Sequence, residues 1–337
     1  MTLYESHPRK DLPLLPDFAQ LSERVWRVMG LNPGKFTLQG GTNTYLVGTS
    51  NRKMLIDCGD GHPSYLPLLI KSLSKIDPEA YISDIIISHC HKDHWGGLSN
   101  IMSSELTNKR SITIHKFPLL EKSSFYKNLE LFPEGREHVH LEDNQIIEVD
   151  KDTHLRVIHT PGHAYDHCSF YLEEENVVFT ADCILGHGPV SFEDLTLFMK
   201  SLYKIRALNP AKLYPGHGAT VDEALEKVDQ YISQRLTKEK QIVDILREDI
   251  AVEWSAIELV DRMNNNESSE MHIDLIAIIV RTVVLHLIKL YHDGRVRLLD
   301  EKEFRRINRG LDPYNPDNAF SVVNLKWVYC ADIKLNF

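Results

Sequence analysis

The chain has 337 residues, of which 42% are hydrophobic and 26% charged, and carries a formal net charge of −10. These values exclude a disordered or low-complexity chain and a globally basic nucleic-acid binder, and they leave room for about two domains. No apolar run reaches the ~18–20 residues that span a bilayer, so no membrane partner is expected. The longest candidate, Ile273 to Leu290, is broken by Asp274, Arg281, His286 and Lys289.

The first twenty residues are proline-rich and read as an extended N-terminal extension without a secretory apolar region. Thr44–Val47 and Met54–Ile56 then read as strands, Tyr65–Ile76 as an amphipathic helix, and Ile82–Ile87 as a buried strand. Residues 100–150 carry no clear pattern. Strands return at Leu155–Ile158, Asn176–Phe179 and Lys212–Tyr214, with a helix over Phe192–Leu208. Such alternation predicts a layered sandwich of sheets and helices. From Val221 the texture turns helical. Ser255 and Glu258 form a capping-box pattern, a long apolar helix ends near His292-Asp293-Gly294, and Arg295–Leu299 reads as a strand. Three helices followed by a strand predict a winged-helix-like module. Phe320–Val328 reads as strand-like.

The five cysteines are odd in number and show no C-x-x-C spacing, so neither a disulfide framework nor a zinc ribbon is expected. The decisive run is His89-Cys90-His91-Lys92-Asp93-His94, which follows the apolar strand directly. His89 and His91 can aim at one ion, while Asp93 and His94 continue round the turn toward a second. Three later strands each lead into a short loop bearing a ligand-type residue: His163 in Pro161-Gly162-His163, Asp182 after Thr180-Ala181, and His217 in Pro215-Gly216-His217. The expected arrangement is His89, His91 and His163 on one metal and Asp93, His94 and His217 on the other, with Asp182 bridging. Nitrogen and oxygen donors of this kind suit two Zn2+ ions.

His89-x-His91-x-Asp93-His94 with later PGH, Asp and GH elements resembles the metallo-β-lactamase superfamily. That resemblance implies an αββα sandwich over residues 21–236 with metals at one edge of two packed sheets, an α+β fold. Asparagine-proline-glycine from Asn32, Gly41-Thr42-Asn43-Thr44-Tyr45 and Cys183-Ile184-Leu185-Gly186-His187-Gly188 resemble more closely the β-lactamase-like protein 2 group. This group includes a mitochondrial endoribonuclease acting on single-stranded RNA and carries a winged-helix-like C-terminal domain, here residues 237–300. Residues 301–337 form a C-terminal extension to which nothing transfers. Fungal polyketide-pathway thioesterases share much of the same signature, so an acyl carrier protein thioester is the alternative substrate. Three departures stand out: an extra glycine at Gly40-Gly41, Cys90 in place of an aromatic, and Trp95 in place of a small polar residue, the last two expected to alter the wall of the site.

The expected nucleophile is a hydroxide activated by the two ions, attacking phosphorus or a thioester carbonyl. Asp93 is expected to orient it as well as to ligate. Asp57 is a candidate acceptor from a ligand imidazole. His167 is a candidate proton donor or phosphate contact, or else a packed histidine. Asn43 and Tyr45 line the substrate pocket by resemblance alone. Lys289, Arg295, Arg297, Lys302, Arg305, Arg306 and Arg309 form a basic stretch that could track a phosphate backbone, interrupted by acids. The resemblance suggests the mitochondrial matrix, whereas the N-terminus suggests cytoplasm and no secretion.

Overall fold

A computed structural model describes residues 14–34, 40–107, 110–119, 132–133, 136–264, 273–299 and 324–330. The chain divides into two compact units, one of Met1–Leu120, Glu130–Phe192 and Leu197–Tyr231, the other mainly Ile232–Phe337. The division thus falls at Tyr231/Ile232, slightly before the expected boundary at 236/237.

The first unit holds two sheets. Strands β1 (Phe18–Gln20), β2 (Val25–Met29), β3 (Asn43–Val47), β4 (Arg52–Ile56), β5 (Tyr81–Ile87), β6 (Thr113–Lys116) and β7 (Val139–His140) form one sheet in that order. The second contains β8 (Ile146–Asp150), β9 (Thr153–His159), β10 (Cys168–Leu172), β11 (Val177–Ala181) and β12 (Lys212–Pro215), in the order β12-β11-β10-β9-β8. The sheet begins inside the expected N-terminal extension, because Phe18–Gln20 pairs antiparallel with β2. Residues 1–13 lie outside the described residues.

Period-2 alternation builds the layers. Tyr45, Val47, Met54, Ile56 and Ile86 of the first sheet share one apolar core with Leu155, Val157, Phe170, Leu172, Val177 and Phe179 of the second. Their neighbours Leu46, Leu55, Ile85 and Ile87 point the other way, into a core with helix α1 (Tyr65–Ile76), α2 (Lys92–Trp95) and α3 (Leu98–Met102). Helix α4 (Leu195–Ala207) meets the end of β9: Ser201 Oγ donates to Pro161 O at 2.7 Å, and Gly162, with φ +133°, lies so close to Phe198 that a Cβ would meet its backbone at 2.4 Å. The architecture is the αββα sandwich of the α+β class. The metal-type residues all follow strand ends: Asp57 after β4, the His89–His94 run after β5, His163 after β9, Asp182 after β11 and His217 after β12. One rim of the sandwich therefore collects them on rigid supports.

The second unit takes the C-terminal part of α5 (Ala224–Glu248), then α6 (Ala256–Met263), α7 (Ile273–His292), β13 (Val296–Leu298) and β14 (Trp327–Tyr329). Its core contains Ile242, Leu246, Leu259, Val283, Leu287, Leu290 and Trp327. The expected capping box opens α6: Ser255 N–H donates to Glu258 Oε2 at 2.7 Å and Glu258 N–H donates to Ser255 Oγ at 3.3 Å. α7 stops at Gly294, whose φ of +71° an L-residue adopts at a cost. Trp254 and Trp327 exchange backbone hydrogen bonds of 3.0 and 2.8 Å, which places Trp254 beside β14 and β14 beside β13. Of the strand-like Phe320–Val328, only residues from 324 onward are described, and the strand there is Trp327–Tyr329. No helix among the described residues is long and apolar enough to cross a membrane.

Candidate metal centre

The seven candidate ligands converge. His91 Nδ1 lies 3.0 Å from His89 Nε2 and 2.9 Å from His163 Nε2. Beside this trio, Asp93 Oδ2 lies 3.3 Å from His94 Nε2 and 3.2 Å from His217 Nε2. Asp182 stands between the groups. Its Oδ2 is 3.5 Å from His163 Nε2, while its Oδ1 is 3.4 Å from His94 Nε2 and 3.2 Å from His217 Nε2. Tetrahedral coordination at ~2.0–2.2 Å separates ligand atoms by about 3.3–3.6 Å, which the spacings of 3.2–3.4 Å in the second group approach and the 2.9–3.0 Å of the trio undercut by a few tenths.

Their chemistry fits a cation as well. His89 donates through Nδ1 to Ser88 Oγ at 3.0 Å, His94 through Nδ1 to Asp57 Oδ2 at 2.7 Å, and His163 through Nδ1 to Ser191 O at 2.8 Å. In the neutral rings each far nitrogen therefore carries the proton, and each inward Nε2 presents a lone pair. Buried lone pairs facing one another repel unless a cation lies between them. His94 Nε2 and Asp182 Oδ1 are indeed buried without a hydrogen-bond partner. The residues present fit two divalent cations, one on three imidazoles and one Asp182 oxygen, the other on Asp93, two imidazoles and the second Asp182 oxygen.

The two halves differ in charge. Burial, reinforced by neighbouring imidazoles, pushes His89 well below the ordinary histidine range and His91 down to about 4. In the other half burial is overcome. Asp93, Asp57 and Asp182 raise His94 well above its ordinary value, and Asp182 and Asp93 raise His217 to about 9. Burial opposes ionisation of Asp93 and Asp182 too, but the His94 and His217 imidazoles hold both well below the carboxylate range.

Asp57 occupies the supporting position expected of it. It is 2% exposed, accepts from His94, and also accepts the Ser88 N–H and Oγ–H at 2.8 Å each. Its φ of +58° lies in the left-handed region, which aspartate tolerates better than most residues. Three expectations need correction. His167 is fully buried: its Nδ1 pairs with Thr160 Oγ1 at 2.9 Å and its Nε2 accepts the Asp182 N–H at 3.1 Å. Both nitrogens being engaged, it holds Asp182 and is no proton donor to substrate. Asn43 is 1% exposed and Tyr45 2% exposed, and both donate to the loop bearing His217 rather than line a pocket. Cys90 and Trp95 are buried beneath the site instead of forming its wall, with Trp95 Nε1 donating to Cys90 O at 2.8 Å.

Sequence reasoning missed four supports. Ser88 links His89 to Asp57. Thr160 holds His167. Asp166 accepts the Cys90 N–H at 3.3 Å between two ligands, and forms a buried ion pair with Lys116. A carboxylate three residues after His163 was the only local signal for the last pair. The extra glycine leaves the ligands in place: Gly41 sits at φ +84°, and Asn32 Oδ1 accepts the Thr42 N–H at 2.8 Å.

Comparison with known proteins agrees with this geometry. The metallo-beta-lactamase superfamily profile matches residues 38–217. The chain is 43% identical over 230 residues to a beta-lactamase-like protein 2 homolog of Caenorhabditis elegans, covering 68% of this chain and 73% of that protein. It is 36% identical over 296 residues to the atrochrysone carboxyl ACP thioesterase AgnL7 of Paecilomyces divaricatus, covering 85% of each. A beta-lactamase domain protein from Burkholderia ambifaria shares the fold, with a TM-score of 0.69, 15% identity and 96% of each chain covered.

Proposed function

Because the chain belongs to the metallo-beta-lactamase superfamily, we propose that this metal-dependent hydrolase works with two cations and cleaves single-stranded RNA. The observation that carries the two-cation reading is Asp182, which turns one carboxylate oxygen toward His163 and the other toward His94 and His217. His89, His91 and His163 would hold one cation, Asp93, His94 and His217 the other, and Asp182 both. Zinc fits these donors, and the bound pair supplies Lewis-acid stabilisation and lowers the pKa of a water.

The chain's own residues do the rest. Asp57, Ser88 and the Ser191 carbonyl hold three imidazoles by Nδ1 and so aim their Nε2 atoms inward. His167 fixes the loop of Asp182 from behind. Asp93 keeps 28% of its side chain exposed against 11% for Asp182. It is the carboxylate that reaches water, and it orients the attacking molecule by accepting its hydrogen bond. RNA as substrate, and the mitochondrial matrix as compartment, rest on the sequence resemblance to the β-lactamase-like protein 2 group.

A thioesterase is the second reading, favoured by two observations. The thioesterase relative matches over 85% of both chains, beyond the superfamily profile. In addition, Lys289 and Arg295, two cations expected to track a phosphate backbone, are both paired to Glu239. The deciding experiment assays zinc-loaded protein on labelled single-stranded RNA and on an acyl carrier protein thioester, with the Asp93→Ala/His94→Ala double variant as control. RNA cut by the wild type and spared by the variant supports the first reading. Hydrolysis of the thioester alone replaces it with the second.

A further inference from the structure

His217 is held differently from His89, His94 and His163. His89, His94 and His163 each have an acceptor behind the ring, namely Ser88, Asp57 and the Ser191 carbonyl. The His217 Nδ1 is buried with no hydrogen-bond partner. Among the described residues nothing steers this ring from behind, so its direction comes from its backbone.

That backbone is gripped on both sides of the residue. Asn43 Nδ2 donates to Pro215 O and to Gly218 O, each at 2.8 Å, and so spans His217 from the residue two before it to the residue after it. Tyr45 Oη donates to Pro215 O at 2.6 Å. The Asn43 N–H donates to Gly216 O at 2.7 Å. Both side chains come from β3, an interior strand of the first sheet, whereas the loop belongs to the second sheet. Burial pushes the Tyr45 phenol far above its ordinary value, which keeps it a donor. Tyr45 is itself wedged between Phe179 and Tyr214, with ring centroids 5.1 and 5.8 Å away.

We infer that Asn43 and Tyr45 are positioning residues for His217, replacing through its backbone the ring support that its Nδ1 lacks. This rests on the two-cation reading above and gives it a consequence. The cation on Asp93, His94 and His217 depends on the hydrogen bonds of Asn43 and Tyr45, while the cation on His89, His91 and His163 does not. Neither side chain meets substrate.

The test uses the full chain, stripped with a chelator and titrated with Zn2+ against a chromophoric competitor. Tyr45→Phe removes one donor without changing the ring. Asn43→Asp replaces the donating amide by a carboxylate facing two carbonyl oxygens. Each variant is expected to bind one of the two equivalents about 10- to 100-fold more weakly and the other unchanged. In turnover kcat should fall while KM holds. Two equivalents at wild-type affinity in Tyr45→Phe, or a raised KM with kcat unchanged, overturn the inference in favour of a substrate contact. Equal loss of both equivalents overturns it too, because that is collapse of the whole site; the variant's melting curve reports any general unfolding separately. The isotherm needs no substrate, so failure on RNA leaves it readable. A wild type that takes up a single equivalent overturns the two-cation reading instead.

Discussion

Asp57 Oδ2 lies 2.7 Å from His94 Nδ1 and thereby turns His94 Nε2 toward Asp93 and Asp182. The same carboxylate receives the Ser88 hydroxyl, and Ser88 Oγ also meets His89 Nδ1. One buried acid therefore orients an imidazole from each proposed cation position, through a chain His89–Ser88–Asp57–His94.

Asp57→Asn replaces an acceptor of three hydrogen bonds by a group with one acceptor oxygen and a competing donor. Cation affinity should fall about 10- to 100-fold, with activity at limiting zinc falling in step. Ser88→Ala should act mainly on the cation held by His89, and Ser88→Thr should restore it. Competition with a chelator of known affinity reads both effects. Wild-type affinity in Asp57→Asn would show that the tautomer of His94 is fixed by something else.

Removing the cations has a separate and local consequence. All seven candidate ligands belong to the first unit. Without a cation, His91 Nδ1 still lies 3.0 Å from His89 Nε2 and 2.9 Å from His163 Nε2, three imidazole nitrogens crowded together with no cation between them. A chelator should abolish hydrolysis reversibly and lower the unfolding temperature of the first unit. The stability lost is about 4 kcal/mol where free zinc had stood at a thousand times its Kd. The second unit should unfold unchanged. Calorimetry with and without chelator reads this, and parallel destabilisation of both transitions would contradict it.

The ligands were legible in the sequence because coordination restricts residue type and spacing within a few residues, as in His89-x-His91-x-Asp93-His94. Their supports were not. Asn43 meets Pro215 across 172 residues and His167 meets Asp182 across 15, and no local spacing reveals either contact. Strand β6 escaped the apolar pattern for a related reason. It buries His115 and Lys116 against Asp84 and Asp166, and a half-polar strand resembles a loop until its partners are known. The long α7 and the Ser255–Glu258 box were legible because their signals are local.

The second unit should be sensitive to acid through His286. This residue is fully buried on α7, its Nδ1 donates to Thr282 O at 2.7 Å, and burial, with Arg235 nearby and only partly offset by Thr282 and Glu239, pushes it down to about 4. An unfolded histidine titrates near 6.5, so the unfolded state takes up a proton first as pH falls. The stability contributed by keeping His286 neutral is complete above about 6.5 and is lost between there and about 4, up to about 3 kcal/mol. His286→Gln cannot titrate and retains a donor for Thr282. The urea midpoint of the wild type should drop more than that of the variant between pH 7 and pH 4.5. Equal drops would mean that other groups carry the acid sensitivity.

Glu239 makes RNA binding by the second unit testable. Its Oε1 accepts from Arg295 at 2.6 Å, its Oε2 accepts from Lys289 at 2.9 Å, and Lys289 also reaches Asp293 Oδ2 at 2.6 Å. Cations held this way already have their counter-charge and release few counterions when a phosphate approaches. Arg297 differs: it is exposed on β13 and has no ion pair among the described residues. If RNA is bound by this unit, Arg297→Ala should reduce the slope of log Kobs against log salt by about 1, while Lys289→Ala leaves it nearly unchanged. Glu239→Gln should act in the opposite sense. It frees two cations, steepens the salt dependence, and destabilises the unit by about 2 kcal/mol, because a partly buried charge pair has lost one partner. Filter binding at several salt concentrations separates the three variants. Identical slopes in all of them would place RNA elsewhere and strengthen the thioesterase reading, in which the Glu239 cluster serves only to tie α5 to α7 and β13.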